Sequence, residues 1–134
     1  MSISSKSAER AIEAARQTSV RIGVPMNIAI MDGSGHLKAF LRMDGAMLGS
    51  IDIALKKAKT AFLLGMNTEA VFEFCKPGAP AFGLEHTNGG LVVFAGGIPL
   101  KAATGEIIDA VGVSGGTVSD DFSVAQAAAA AFTN

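Results

Sequence analysis

The chain has 134 residues, 49% of them apolar, with 11 basic against 12 acidic side chains and a formal net charge of -1. One domain spanning 1–134 with a core of ordinary size is expected; the balanced charge argues against the basic patch a nucleic-acid partner needs and gives an anionic membrane surface nothing to hold. The absence of Trp and Tyr removes an aromatic platform for stacked bases, and a single cysteine, Cys75, cannot form an internal disulfide, so a reduced, cytoplasmic setting is expected.

Ser4, Ser5 and Ser7 precede Ala8, Ala11, Ile12, Ala15, Ser19 and Ile22, a spacing that predicts an amphipathic first helix ended by Gly23 and Pro25. The opening Met1-Ser2-Ile3-Ser4-Ser5-Lys6 lacks the charged head and apolar run of a signal peptide. Two apolar runs, 26–31 and 36–43, joined by Asp32-Gly33-Ser34-Gly35, predict a β-hairpin. In its second strand Leu37, Ala39, Leu41 and Met43 share one face, and His36, Lys38, Phe40 and Arg42 the other. Ser50 can cap a second helix with an apolar stripe of Ile51, Ala54, Leu55, Ala58, Ala61, Phe62 and Gly65, leaving Lys56, Lys57 and Lys59 off that stripe.

A short helix from Glu69 to Cys75 follows, ended by Lys76-Pro77-Gly78. Residues 79–90 read as a loop, 91–95 and 98–102 as a second hairpin, and 107–113 as a further strand. Thr117, with Asp120 three residues later, begins a last helix through Phe132, and its alanine-rich run 125–131 is too short to cross a bilayer. The order α-β-β-α-α-β-β-β-α predicts an α+β domain, a five-stranded antiparallel sheet flanked by helices, of the profilin or PAS-like kind.

Glycine is the default where backbone takes positive φ or approaches another group closely, and it is concentrated in Thr87-Asn88-Gly89-Gly90, Gly96-Gly97-Ile98-Pro99-Leu100 and Gly112-Val113-Ser114-Gly115-Gly116. Together with Gly23-Val24-Pro25, Asp32-Gly33-Ser34-Gly35-His36, Arg42-Met43-Asp44-Gly45-Ala46 and Ala54-Leu55-Lys56-Lys57-Ala58, these occur in an order by which the chain resembles the GlcG/HbpS family over nearly its whole length. The C-terminal domain of PduO-type cobalamin adenosyltransferases looks related. The resemblance implies this α+β architecture and assembly as dimers, tetramers or octamers. It implies haem binding in some members, under a haem-degrading label, and in others a place beside genes for glycolate, glycerol or propanediol breakdown. Some haem-binding relatives use a histidine on the first helix as axial ligand; the first helix here has none.

The segment 112–117 follows a strand and opens a helix, so the amides of Ser114, Gly115 and Gly116 gather where a carboxylate or haem propionate would be held. A tight turn without ligand is the plainer reading, and neither a Walker lysine nor dinucleotide spacing is present. His36 and His86 are the only imidazoles. His86, in a polar loop, is the candidate haem-iron ligand or acid–base group, against an ordinary solvated histidine; no spacing suits zinc. Arg42 and Lys57 would clamp a carboxylate near Asn88 and Gly89 if the second helix crosses the hairpin. The alternatives are a solvated lysine face and an ion pair of Arg42 with Asp44 or Asp32. Asp32, Asp44 and Glu85 match no metal loop and read as turn formers. Cys75 and the methionines read as structural.

The expectation is a small-molecule binding protein that holds haem or another anionic ligand through Arg42, Lys57, His86, Asn88, Gly89, Ser114, Gly115 and Gly116, as an accessory to small hydroxy-acid or diol catabolism. The rivals are an enzyme on a small carboxylate or diol-derived substrate, with His86 or Glu85 moving a proton, and an oligomeric scaffold for a partner enzyme. The alanine face of the last helix and the apolar composition point to a homo-oligomer on two-fold interfaces.

Overall fold

The structure is a computed structural model and describes residues 3–132. Met1 and Ser2, part of the stretch read for a leader, and Thr133 and Asn134, the end of the 1–134 domain, lie outside the described residues. The elements are α1 (Ser5–Ile22), β1 (Asn27–Met31), β2 (Leu37–Arg42), α2 (Ser50–Leu64), α3 (Thr68–Cys75), a 3-10 turn (Leu84–His86), β3 (Gly97–Lys101), β4 (Ile107–Ser114) and α4 (Val118–Ala131). The described strands form one antiparallel sheet in the order β2-β1-β4-β3.

Local chemistry sets the helix ends. The Ser4 hydroxyl accepts from the Ser7 N–H at 3.1 Å at the start of α1, and Gly23, at φ 82°, closes its other end with its N–H on the Ser19 and Val20 carbonyls. Thr117 caps α4 by accepting from the Asp120 N–H at 3.1 Å. Ser50 is not the cap of α2 but its first residue, and Gly49 precedes it without a side-chain cap.

The five-stranded sheet is corrected to four strands, in the order α-β-β-α-α-β-β-α: the apolar run 91–95 is not a strand. Its backbone is satisfied by other partners. The Val92 N–H donates to Thr60 Oγ1 at 3.1 Å, the Phe94 carbonyl accepts from Thr68 Oγ1 at 2.6 Å, and the Leu91 N–H donates to the Glu85 carbonyl at 2.9 Å. Hydroxyls on α2 and α3 thus take the places of a strand partner. Val93 is buried with Val71 and Cys75 beneath α3, and β3 pairs forward with β4 instead.

One face of the sheet, with Ile28, Ile30, Leu100, Val111 and Val113, packs on Ala8, Ala11 and Ala15 of α1 and Val124, Ala125 and Ala128 of α4. Ala39, Leu41 and Met43 join that side, while Phe40 joins Ala29, Met31, Ala54 and Ala58 under α2, as the alternation in β2 predicts. Both faces of β1 are therefore covered and all five of its residues are buried.

The glycines let α2 lie directly on the sheet. A Cβ at Gly112 would stand 2.1 Å from the Ala54 carbonyl oxygen, and one at Gly97 would stand 2.5 Å from that of Lys57. Both distances are far inside van der Waals contact, so no other residue permits this approach.

Candidate functional site

The residues singled out as ligand contacts fall in three places. Lys57 faces the sheet from α2 and is fully buried, so the expectation that it lies off the packed side of the helix is corrected. Its Nζ donates to the Val113 carbonyl at 2.9 Å and to Asp121 Oδ2 at 2.8 Å, and lies 5.0 Å from the centroid of the Phe94 ring. Space for the ammonium exists because residue 96 is glycine: a Cβ there would stand 2.7 Å from Nζ. Burial pushes the Lys57 pKa down, and the bond and charge of Asp121 oppose that shift.

Asp121, itself buried, also accepts the Gly116 N–H on Oδ1 at 2.9 Å. A carboxylate from the chain's own α4 thus stands at the helix N-terminus where a bound anion was expected. Ser114 is buried, and Gly115 backs onto the Pro25 carbonyl, 2.7 Å from where a Cβ would be.

His86, Asn88 and Gly89 lie together on an exposed turn in which Asn88, Gly89 and Gly90 take φ of 52°, 72° and 105°. Lys59 Nζ donates to the Asn88 carbonyl there. Arg42 is exposed at the end of the edge strand β2. Asn27 of β1 pairs with Arg42 on one side and with Ser114 on the other, so a whole strand separates them. The structure thus joins Lys57 to the 113–116 turn through Asp121, keeps His86, Asn88 and Gly89 on a separate turn, and leaves Arg42 apart from both.

His36 meets a hydroxyl, Ser34 Oγ, at 3.0 Å, but that hydroxyl donates to Asp32 Oδ1 at 2.6 Å. The proton a base would remove is directed at the carboxylate, and the arrangement is a capped turn. The Ser34 hydroxyl, with the Ser34 and His36 amides, holds Asp32 below the usual carboxylate range.

A groove not foreseen in the motifs runs between α3, residues 93–95 and the first turn of α4. It encloses about 590 Å³ and is lined by Glu69, Ala70, Phe72, Glu73, Val93, Phe94, Ala95 and Val118. Sharing Glu69, Ala95 and Val118, it runs on into a shallower hollow with Ser119 and Phe122. Phe72 and Phe94 are 40% and 44% exposed, a large apolar surface to leave in water. Phe94 is also the ring above Lys57, so the groove wall and the buried ion pair share a side chain. The charged side chains of the lining, Glu69 and Glu73, are both acidic. Glu69 Oε2 accepts from Asn67 Nδ2 at 3.1 Å, while Oε1 is shielded from water with no hydrogen-bond partner. Glu73 pairs with Lys76 at 2.7 Å on the surface. One signal for the site was present in the sequence: residues 69, 72 and 73 share one side of a helix by their spacing.

The family model described as haem degrading protein HbpS-like matches residues 3–130. The chain belongs to the HbpS-like family. It is 38% identical over 127 residues to an uncharacterised 15.0 kDa protein of the dhaT-dhaS intergenic region of Citrobacter freundii, covering 94% of this chain and 89% of that one. The crystal structure of Klebsiella pneumoniae ORFY, of family DUF336, superposes with a TM-score of 0.95 at 34% identity, covering 98% of this chain and 91% of ORFY. That of a PduOC:haem complex superposes with a TM-score of 0.92 at 35% identity, covering 98% and 95%.

The groove meets a haem halfway. Its apolar lining suits a planar macrocycle. Iron is usually held by His, Met, Cys or Tyr, and none of these lines the groove. His36 and His86 lie exposed on other turns, and burial, with the nearby charge of Glu85, pushes the buried Cys75 thiol up. The lining is apolar, and an iron would find no customary ligand there.

Proposed function

We propose that the chain is a small-molecule receptor that seats a flat, largely apolar ligand of the haem class in the groove between α3 and α4. The observation that carries this reading is the groove itself: about 590 Å³, walled by Phe72, Val93, Phe94, Ala95 and Val118. Such a volume and lining are those of small-ligand sites. The haem-bound relative at 35% identity makes haem the first ligand to test. Affinity comes from burying the ring against apolar side chains, at roughly 25 cal/mol per Å² removed from water, and not from iron ligation.

The test is a titration of the purified chain with haemin and, separately, with metal-free protoporphyrin, followed by the Soret band. Both bind saturably, within about tenfold of each other. Val118→Trp, at a position 52% exposed on the groove, fills the site and weakens both while leaving the far-UV circular dichroism unchanged. If neither ligand saturates, or Val118→Trp binds both as the parent does, the reading is wrong.

We further propose that the receptor serves as an accessory to small hydroxy-acid or diol catabolism and works as a homo-oligomer. Exposed Phe74 and Phe82, beyond the groove, support assembly because they add apolar surface that a second copy would cover. Sedimentation velocity showing only monomer at tens of micromolar, a roughly physiological range of subunit affinities, would remove the oligomer.

A further inference from the structure

We infer that Lys57 is a positioning residue for the groove: its buried ammonium orients the Phe94 ring that a ligand packs against. That role rests on the groove being a ligand site and concerns what sets the shape of its wall.

The wall at 93–95 needs outside support, because these residues belong to no strand. The Phe94 carbonyl accepts from Thr68 Oγ1 at 2.6 Å, and the Gly96 carbonyl accepts from the Val113 N–H at 2.9 Å. Those bonds fix the main chain and not the ring. Val93 is packed beneath α3, whereas Phe94 is 44% exposed, so apolar packing restrains its side-chain torsions only in part.

Lys57 supplies the remaining restraint. An ammonium has three donors. One bond runs to the Val113 carbonyl at 2.9 Å and another to Asp121 Oδ2 at 2.8 Å, so β4 and α4 hold Nζ in place from two directions. The centroid of the Phe94 ring lies 5.0 Å from it. A cation shielded from water attracts an aromatic face more strongly than an exposed one does, and Lys57 is fully buried. Being buried, it meets no ligand itself, and its effect on binding passes through the ring.

A ligand entering the groove of the parent chain finds the ring already oriented. Without the ammonium, binding has to order that ring, and affinity falls about three- to tenfold, the scale of immobilising one side chain.

The experiment titrates metal-free protoporphyrin, which needs no iron ligand, against the parent, Lys57→Met, Phe94→Leu and the double variant. Lys57→Met weakens binding about three- to tenfold in the parent and by less than about twofold in the Phe94→Leu background, where no ring is left to orient. Its cost in urea denaturation persists in both backgrounds, because that cost comes from Asp121 and Val113. If Lys57→Met does not fold, Lys57→Met with Asp121→Asn removes the pair without leaving a lone buried charge and takes its place in the cycle. If Phe94→Leu binds too weakly to measure, 3,4,5-trifluorophenylalanine at position 94 replaces it: fluorine drains the ring face with little change of shape, and weakens binding in the parent more than in the Lys57 variant.

Parent-like affinity in Lys57→Met overturns the inference and leaves the receptor standing. So does a loss of equal size in both backgrounds, which would come from general loosening or from the bared Asp121 charge. If neither protoporphyrin nor haemin saturates the parent, the receptor falls and the inference with it.

Discussion

Lys57→Met probes the buried ion pair that ties α2 to β4 and α4. Methionine keeps most of the lysine stem beside Gly96 and Phe94, so packing changes little. What is lost is the ammonium. Asp121, 2% exposed, keeps only the Gly116 N–H, and the Val113 carbonyl loses its Lys57 donor. Breaking a buried pair from one side costs about 3–5 kcal/mol, a large part of the roughly 5–15 kcal/mol that holds a domain folded. With a urea m-value of about 2 kcal/mol/M, the midpoint falls by about 2 M. Far-UV circular dichroism is the assay, because the chain has no Trp or Tyr to report unfolding. Asp121→Asn has a cost of similar size, and the double variant costs less than the sum, with a coupling of about 2–3 kcal/mol.

The pH dependence of this pair has a definite sign. Burial places the folded Lys57 pKa below the unfolded one, so between the two values the unfolded chain binds more protons. The stability contribution of Lys57 therefore rises as pH climbs from the folded value toward the unfolded value near about 10.4, and Lys57→Met lacks that rise. A cost under about 1 kcal/mol for Lys57→Met, or a coupling near zero, would refute the argument that the pair ties these elements together.

Gly112→Ala puts a Cβ 2.1 Å from the Ala54 carbonyl oxygen, and because the atom it meets is backbone, α2 must lift; a loss of about 3 kcal/mol or more in urea denaturation is expected. Asp109 is fully buried and burial pushes its pKa up, with the charge of Asp32 adding and the Ile3 N–H at 3.2 Å opposing. A raised carboxylate pKa means stability that is present below the unfolded value and lost as pH rises through the folded one, so Asp109→Asn gains on the parent as pH climbs above the unfolded value near about 3.9 in paired denaturation curves. Buried Cys75, its thiol pushed up by burial, reacts slowly with a thiol reagent in the folded chain and quickly in denaturing urea; equal rates would mean that α3 opens readily.

The residues that the sequence settled act over short range. Ser4 and Thr117 at helix starts and Gly23 at a helix end work through hydrogen bonds spanning three to five residues, and the faces of β2 follow from alternation alone. The order of the glycine-rich motifs was enough to show the family. The missing strand was not legible, because an apolar run such as 91–95 looks the same whether its backbone meets a strand or the hydroxyls of Thr60 and Thr68. Lys57 was indistinguishable from Lys56 and Lys59. Only folding brought it to Val113 and Asp121, 56 and 64 residues away, under a glycine that leaves it room. The groove likewise takes Glu69 and Phe72 from α3, Phe94 from an irregular segment and Val118 from α4. Caps, turns and strand faces depend on near neighbours and can be read along the chain, whereas burial of a charge and the walls of a site depend on which distant segments close upon one another.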